Sequence, residues 1–150
     1  MASMPAPLRV DDDPIVRALG VLGSRGAFLV MREAFYGTRR FDDFTRRLGM
    51  SPSALSARLR DLVADGMLAR TAYREAGART RSEYVLTAKG EALLPALVAL
   101  QRWANDHLPP RGPRVDLIHD GCDAAVGARL TCDDGHELAL RDLAVATRSG

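Results

Sequence analysis

The sequence has few of the features that mark a disulfide-stabilised, secreted or membrane-spanning protein. Cysteine occurs only at Cys122 and Cys132, so a disulfide framework cannot hold the main body together. No apolar run approaches the length needed to cross a bilayer, and the first residues lack the basic start and apolar stretch of a secretory signal. We therefore expect a cytoplasmic protein without a membrane partner.

Catalytic motifs are also missing. The sequence has no glycine-rich phosphate loop and no G-x-S-x-G, and its three histidines, His107, His119 and His136, lie outside the most basic segment. We therefore expect no enzymatic activity and no cofactor, with zinc in the C-terminal tail as the one alternative.

The charges are unevenly distributed, although the formal net charge is only +2. Residues 39–81 contain ten arginines against five acidic residues, whereas residues 109–150 contain five arginines against seven. The basic segment is therefore a candidate surface for a polyanion, and a solvated face of internal ion pairs is the alternative.

Helical periodicity and chain-breaking residues predict a flexible arm over residues 1–13, a main domain over 14–108 and a C-terminal extension over 109–150. Helices are expected to begin at Pro14, Ala27 and Phe41. A fourth is expected over Pro52–Ala64, because Ser51 is a good cap and proline is tolerated at the first helical position.

Strand-forming residues follow at Leu68–Tyr73 and Glu83–Leu86, and Thr87 can cap a last long helix that Pro95 should kink. This order predicts a mainly α (α+β) winged helix-turn-helix fold. It has a two-stranded wing, a long C-terminal dimerisation helix and a short β-rich tail. In such a fold the capped helix enters the DNA major groove.

The predicted fourth helix has a face suited to DNA. Leucines form one apolar stripe, and Ser53, Ala57 and Arg60 lie opposite it. Arginine can bind guanine in a bidentate manner, and alanine can contact a thymine methyl group. An ordinary surface helix is the alternative. With phosphate contacts before the third helix and in the wing, the predicted DNA-binding set is Arg39, Arg40, Ser51, Ser53, Ser56, Ala57, Arg58, Arg60, Arg74, Arg79 and Arg81.

Residues 13–108 resemble the HxlR-type regulators, relatives of the MarR group. The similarity lies in "DPIVRALGVLG", "RRFDDFTRRLGMSPSALSARLRDLVADGMLAR", "SEYVLTAKG" and "LLPALVALQRWA". It implies a sequence-specific, double-stranded DNA-binding transcriptional regulator. Relatives usually carry longer polar side chains where Ser53 and Ala57 stand, so we expect base readout to depend more on arginines, the wing and DNA shape.

The resemblance also supports a homodimer, with Leu93, Leu97, Leu100 and Trp103 of the last helix as dimerisation residues. A small-molecule effector would bind between this helix and the first one. We expect repression, because a protein this small excludes polymerase more easily than it recruits it. Some HxlR-type redox sensors carry a cysteine directly before the first helix. Asp13 stands there in this sequence, and a carboxylate cannot undergo thiol oxidation.

The tail contains His119, Cys122, Cys132 and His136, a spacing close to that of a small zinc-binding unit. A hairpin turn at residues 133–135 would place Cys132 opposite His136, and a turn at 120–121 would bring His119 beside Cys122. Two alternatives are a hairpin in which the cysteine is only a small core residue, and a reversible disulfide. A metal- or redox-responsive tail is thus the second functional hypothesis.

Overall fold

The computed structural model describes residues 9–73 and 81–146. Helices and strands follow in the order α1 (Pro14–Leu22), α2 (Arg25–Phe35), α3 (Phe41–Leu48), α4 (Pro52–Ala64), β1 (Leu68–Tyr73), β2 (Arg81–Leu86), α5 (Ala88–Glu91) and α6 (Leu94–His107). Short 3-10 turns lie at Val10–Asp12 and Leu140–Asp142. The described residues form two compact units: one lies within residues 14–97, and the other comprises residues 9–13 and 98–146.

Side-chain caps and a glycine set the helix boundaries around the helix-turn-helix. The Ser51 hydroxyl accepts a hydrogen bond from the Ala54 backbone N–H at 3.3 Å, with Pro52 in the first turn of α4. Helix α3 ends at Gly49, which has a φ of +61° that side-chain-bearing residues rarely adopt. These two signals fix the short turn between α3 and α4.

No single helix in the described part of the chain is long and apolar enough to span a membrane. Helices α1 and α2 meet the length and composition requirement only as a pair, and they are bent by 81° relative to each other.

The core of the 14–97 unit lies between α2, α3, α4 and the start of β1. The α4 stripe predicted from the sequence is buried, which leaves the opposite face of this helix outward. The largest fully buried side chains are Val30, Met31, Phe44, Leu55, Leu59, Leu62 and Leu68. Apolar burial of this kind is the main force that holds α4 in place.

Strands β1 and β2 pair antiparallel, in a register that runs from Leu68 opposite Leu86 to Tyr73 opposite Arg81. The segment before α3 joins the free edge of β2. The Tyr84 backbone N–H donates to the Arg39 carbonyl at 2.8 Å, and Arg40 forms a β-bridge with Glu83. The wing is thereby hydrogen-bonded to the start of the helix-turn-helix.

The last long helix predicted from the sequence is divided into α5 and α6. Pro95 has no N–H to donate to the Glu91 carbonyl, and α5 ends at Glu91. The Leu93 N–H instead bonds the Gly90 carbonyl at 3.1 Å, and α6 begins at Leu94. The expected kink is therefore a complete break.

Candidate nucleic-acid interface

The outward face of α4 carries small side chains and one long cation. Ser53, Ser56 and Arg60 are exposed and Ala57 is half-buried, while Leu55 on the opposite side is fully buried. Small side chains allow the helix backbone to come close to base edges in a major groove. This face therefore has the shape and polarity of a recognition helix.

The two arginines of α4 have different surroundings. The Arg58 guanidinium lies 3.3 Å from the Asp61 carboxylate, and its aliphatic stem packs beside Gly26 of α2. Arg60 is exposed and has no ion-pair partner among the described residues. The two side chains therefore differ: Arg60 extends from the outward face of α4, whereas the contacts of Arg58 brace α4 against α2.

A polar groove of about 500 Å³ runs beside α4. The segment before α3, the first turn of α3, helix α4 and both strands contribute to it. Its polar lining residues are Arg40, Asp42, Ser56, Arg70, Arg81 and Ser82. The groove therefore joins a residue of the recognition helix to three arginines at the wing and its edge.

Two arginines of this groove form long ion pairs, Arg81 with the exposed Asp42 and Arg40 with the half-buried Glu83. Arg40 lies 3.8 Å from Glu83, and Arg81 lies 3.9 Å from Asp42. An exposed pair such as Arg81 with Asp42 contributes only about 0 to 1 kcal/mol, so a phosphate can replace that carboxylate at little cost. Both arginines carry the charge that phosphate contacts require.

Arg70 is a groove residue absent from the set predicted from the sequence. Its Nε donates to the Ser82 hydroxyl at 2.9 Å, across the sheet from β1 to β2. The strand pattern alone could have indicated it, because Arg70 is a charged residue in the strand that follows the recognition helix. Of the predicted wing residues, Arg81 is placed at the start of β2, and Arg74 and Arg79 lie outside the described residues.

A buried carboxylate fixes α3 beneath this surface. Glu33 of α2 is only 3% exposed, and it accepts hydrogen bonds from Arg32 at 2.8 Å, from the Thr38 hydroxyl at 3.2 Å and from the Nε of Arg47 on α3. Burial acts to raise the pKa of Glu33, but the hydrogen bonds from Arg47 and Arg32 outweigh it and leave the pKa below its ordinary value. Glu33 is therefore ionised and links α2, the following turn and α3.

Ser51 and Arg39, two further residues of the predicted DNA-binding set, also make contacts within the protein. The Ser51 hydroxyl caps α4 and lies 3.3 Å from the Ser53 hydroxyl. Arg39 is exposed, and its backbone carbonyl is held by β2. Both residues stand at the rim of the outward α4 face and the sheet.

The four residues predicted for dimerisation divide into two groups. Leu93 packs against the core of the 14–97 unit and Leu97 is buried. Leu100 and Trp103 are 57% and 56% exposed, with the Trp103 ring 5.8 Å from that of His107. Helix α1 separately presents Ile15 at 70% exposure and Leu19 at 52%. Exposed apolar helix faces of this kind are typical of contact surfaces.

In the tail, the structure forms both histidine–cysteine pairs expected from the sequence. His119 Nδ1 lies 3.2 Å from Cys122 Sγ, and His136 Nδ1 lies 3.4 Å from Cys132 Sγ. Asp134, which the sequence did not indicate, joins Cys132 and His136 in one group whose ligand atoms lie within 4.8 Å of one another. The first pair is not part of that group.

Comparisons with known proteins agree with this geometry. The HxlR-like helix-turn-helix family matches residues 21–112. The HTH-type transcriptional regulator Rv3095 of Mycobacterium tuberculosis is 39% identical over 137 residues, which cover 90% of this chain and 85% of the relative. The chain belongs to the HxlR-like helix-turn-helix family.

Two solved structures extend the comparison. This HxlR-like chain superposes on the candidate transcription factor PA1607 with a TM-score of 0.80 at 34% identity, over 91% of this chain and 96% of the other. It superposes on the reduced form of the redox regulator HypR with a TM-score of 0.57 at 27% identity, over 63% of this chain and 92% of the other. The predictions of a winged helix-turn-helix fold, of a transcriptional regulator and of a protein that is not an enzyme are therefore confirmed.

Proposed function

We propose that this HxlR-like regulator binds a specific double-stranded DNA sequence as a homodimer and represses transcription from it. One observation carries the proposal: the outward face of α4 continues into a groove that contains Arg40, Arg70 and Arg81. A protein that binds a duplex in a fixed position and reads its sequence needs phosphate-binding cations next to its recognition helix.

In this arrangement α4 lies in the major groove with Arg60 directed at a base edge. Arginine binds O6 and N7 of guanine in a bidentate manner, and such a contact contributes about 1 to 3 kcal/mol of discrimination. Ser53, Ser56 and Ala57 allow close approach, and Ala57 can contact a thymine methyl group. Their small size leaves a large share of the specificity to DNA shape.

The groove arginines bind the phosphate backbone beside the recognition helix. Arg81 and Arg40 exchange their carboxylate partners, Asp42 and Glu83, for phosphate oxygens. Charge neutralisation of this type provides affinity without sequence preference and falls steeply with salt.

Dimerisation supplies the selectivity that one short helix lacks. Two recognition helices related by a two-fold axis read half-sites about one DNA turn apart. The exposed apolar residues Leu100 and Trp103 of α6, and Ile15 and Leu19 of α1, are the surfaces that we assign to pairing. A small-molecule effector would act by changing the separation of the two recognition helices.

The proposal is tested by selecting duplexes from a randomised library with the full chain, and then measuring affinity for the enriched sequence. We expect an enriched motif with two-fold symmetry, and repression when that motif overlaps a promoter transcribed in vitro. If roughly six to ten phosphates are neutralised, affinity should fall by about 10³ to 10⁵ between about 50 and 200 mM salt. An affinity that does not change with salt would contradict the proposal.

Three arginine variants separate base reading from phosphate binding. Arg60→Ala should weaken the enriched sequence by about 1 to 3 kcal/mol and relax the preference at one position of the motif, while Arg81→Ala should weaken all sequences alike and reduce the salt slope by about 1. Arg111→Ala, which removes the same charge from the exposed tail, should leave affinity unchanged. Equal losses in Arg60→Ala and Arg111→Ala would refute the assignment of α4.

A further inference from the structure

The tail, residues 109–146, has hydrogen-bonded turns but no apolar core. None of residues 109–146, all of which the structure describes, is buried. The hydrogen bonds from Gln101 and Asn105 of α6 to the Val115 carbonyl hold only the start of this segment. A segment of this length that buries so little apolar area gains most from a disulfide, a metal or a partner surface, because these offset chain entropy. Both cysteines are free and each lies beside a histidine.

Two tight turns organise the tail, and each is closed by a β-bridge. In the first, the His119 N–H donates to the Ala124 carbonyl at 2.9 Å and Ile118 bridges to Ala125. In the second, the Cys132 N–H donates to the His136 carbonyl at 3.1 Å and Thr131 bridges to Glu137. Each turn thus positions one imidazole and one thiol at its base.

We propose that His119, Cys122, Cys132 and His136 bind one zinc ion that holds the two turns together. Zinc bonds of about 2.3 Å to sulfur and about 2.05 Å to nitrogen, at a tetrahedral angle, place the two ligand atoms about 3.6 Å apart. The two observed Nδ1 to Sγ distances are 3.2 and 3.4 Å. Each pair therefore already has the spacing of two adjacent vertices of a zinc tetrahedron.

Glycines make both turns compatible with such a site. A Cβ at Gly121 would lie 2.9 Å from the Cε1 atom of His119, so a side chain there would push the imidazole away from Cys122. Gly135 has a φ of +82°, which lets the second turn close between Cys132 and His136.

The connection between the turns favours a shared ion. The first turn is closed by the Val126 N–H bond to the Leu117 carbonyl, and the second by the Leu138 N–H bond to the Leu130 carbonyl. Only residues 127–129 separate them. The ligand atoms of His119 and Cys122 lie outside the 4.8 Å group that Cys132 and His136 form with Asp134, so the proposed ion would draw the two turns together across this short link.

On binding, one Zn²⁺ replaces the two thiol protons of Cys122 and Cys132, which are released to solvent. The resulting site has two thiolates and two neutral imidazoles, and its net charge is zero. Asp134, which lies in the group with Cys132 and His136, defines the competing three-ligand arrangement. That arrangement does not use His119 or Cys122.

The test measures zinc by elemental analysis in the full chain, purified without a metal-affinity tag. We expect about one zinc per chain, and at least about a hundredfold loss of zinc affinity in Cys122→Ser and in Cys132→Ser. Asp133→Asn, in the same turn as Cys132 but outside the ligand group, is the matched control and should bind zinc like the unmodified chain.

A second measurement uses the unmodified chain and does not depend on how the variants fold. Metal-free protein titrated with Co²⁺ should develop thiolate-to-cobalt charge-transfer absorption, and zinc should protect both cysteines from alkylation, as read by mass spectrometry. Less than about a tenth of a zinc per chain, alkylation of Cys122 in the presence of bound zinc, or full zinc affinity in Cys122→Ser would each overturn the proposal. None of these outcomes bears on whether α4 binds DNA.

Discussion

Replacing Glu33 with glutamine tests the polar link that positions α3 below the recognition helix. The substitution keeps the size and one acceptor oxygen of the side chain but removes the charge that Arg32 and Arg47 bind. We expect the Glu33→Gln chain to fold, to be less stable and to lose the part of its acid-pH dependence that comes from Glu33.

The expected loss follows from the surroundings of the two arginines. A hydrogen bond to a charged group contributes about 1.5 to 3 kcal/mol. The side chains of Arg32 and Arg47 are 37% and 51% exposed, so solvent screening reduces each contribution by roughly half. The sum for the two bonds is about 1.5 to 3 kcal/mol in the free energy of unfolding.

The pH dependence has a defined sign. The pKa of Glu33 is lowered in the folded state, so the unfolded chain binds the proton more tightly. The stabilisation by Glu33 is complete above its ordinary pKa of about 4.3, and it is lost as the pH falls through the lower folded-state pKa. Glu33→Gln should lack this component of acid destabilisation.

Urea denaturation across a pH series measures both effects. Asp43→Asn is the matched control, because it removes a carboxylate whose ion pair with Arg46 lies on the exposed surface of α3. That variant should cost less than about 0.5 kcal/mol. If Glu33→Gln costs no more than Asp43→Asn at neutral pH, the assignment of Glu33 as the structural link between α2 and α3 is wrong.

Two further predictions concern assembly and redox response. Leu100→Asp should shift the protein from dimer to monomer, as measured by light scattering at micromolar concentration, because it places a charge in the proposed apolar interface. The same change at Leu140, an 85% exposed leucine in the tail, should leave the mass unchanged, and a monomeric unmodified chain would contradict the proposed dimer. DNA binding by the Cys122→Ser, Cys132→Ser double variant should be unaffected by peroxide, since Asp13 supplies no thiol before α1. Loss of its DNA binding under peroxide would show that another group senses the oxidant.

Local sequence signals sufficed to predict the helix-turn-helix, because the residues that begin and end each helix lie within or next to that helix. Ser51 and Pro52 begin α4, Gly49 ends α3, and the leucine stripe of α4 is apolar at helical spacing. Capping and periodicity act within a few residues, so no knowledge of the fold is needed to apply them. The tail turns followed from local chemistry in the same way.

Other features depend on contacts between residues far apart in the sequence, which the fold alone establishes. Charge and position predicted equal roles for Arg58 and Arg60, but only Arg58 packs beside Gly26 of α2. The sequence pattern placed Leu93, Leu97 and Leu100 on one helical stripe, yet Leu93 lies in the break before α6, and Leu93 and Leu97 pack within the protomer. Side-chain chemistry and local spacing thus sufficed to select the residues suited to DNA, a partner or a metal. Which of these side chains are already packed within the protomer followed only from the fold, because burial depends on contacts between segments that are distant along the chain.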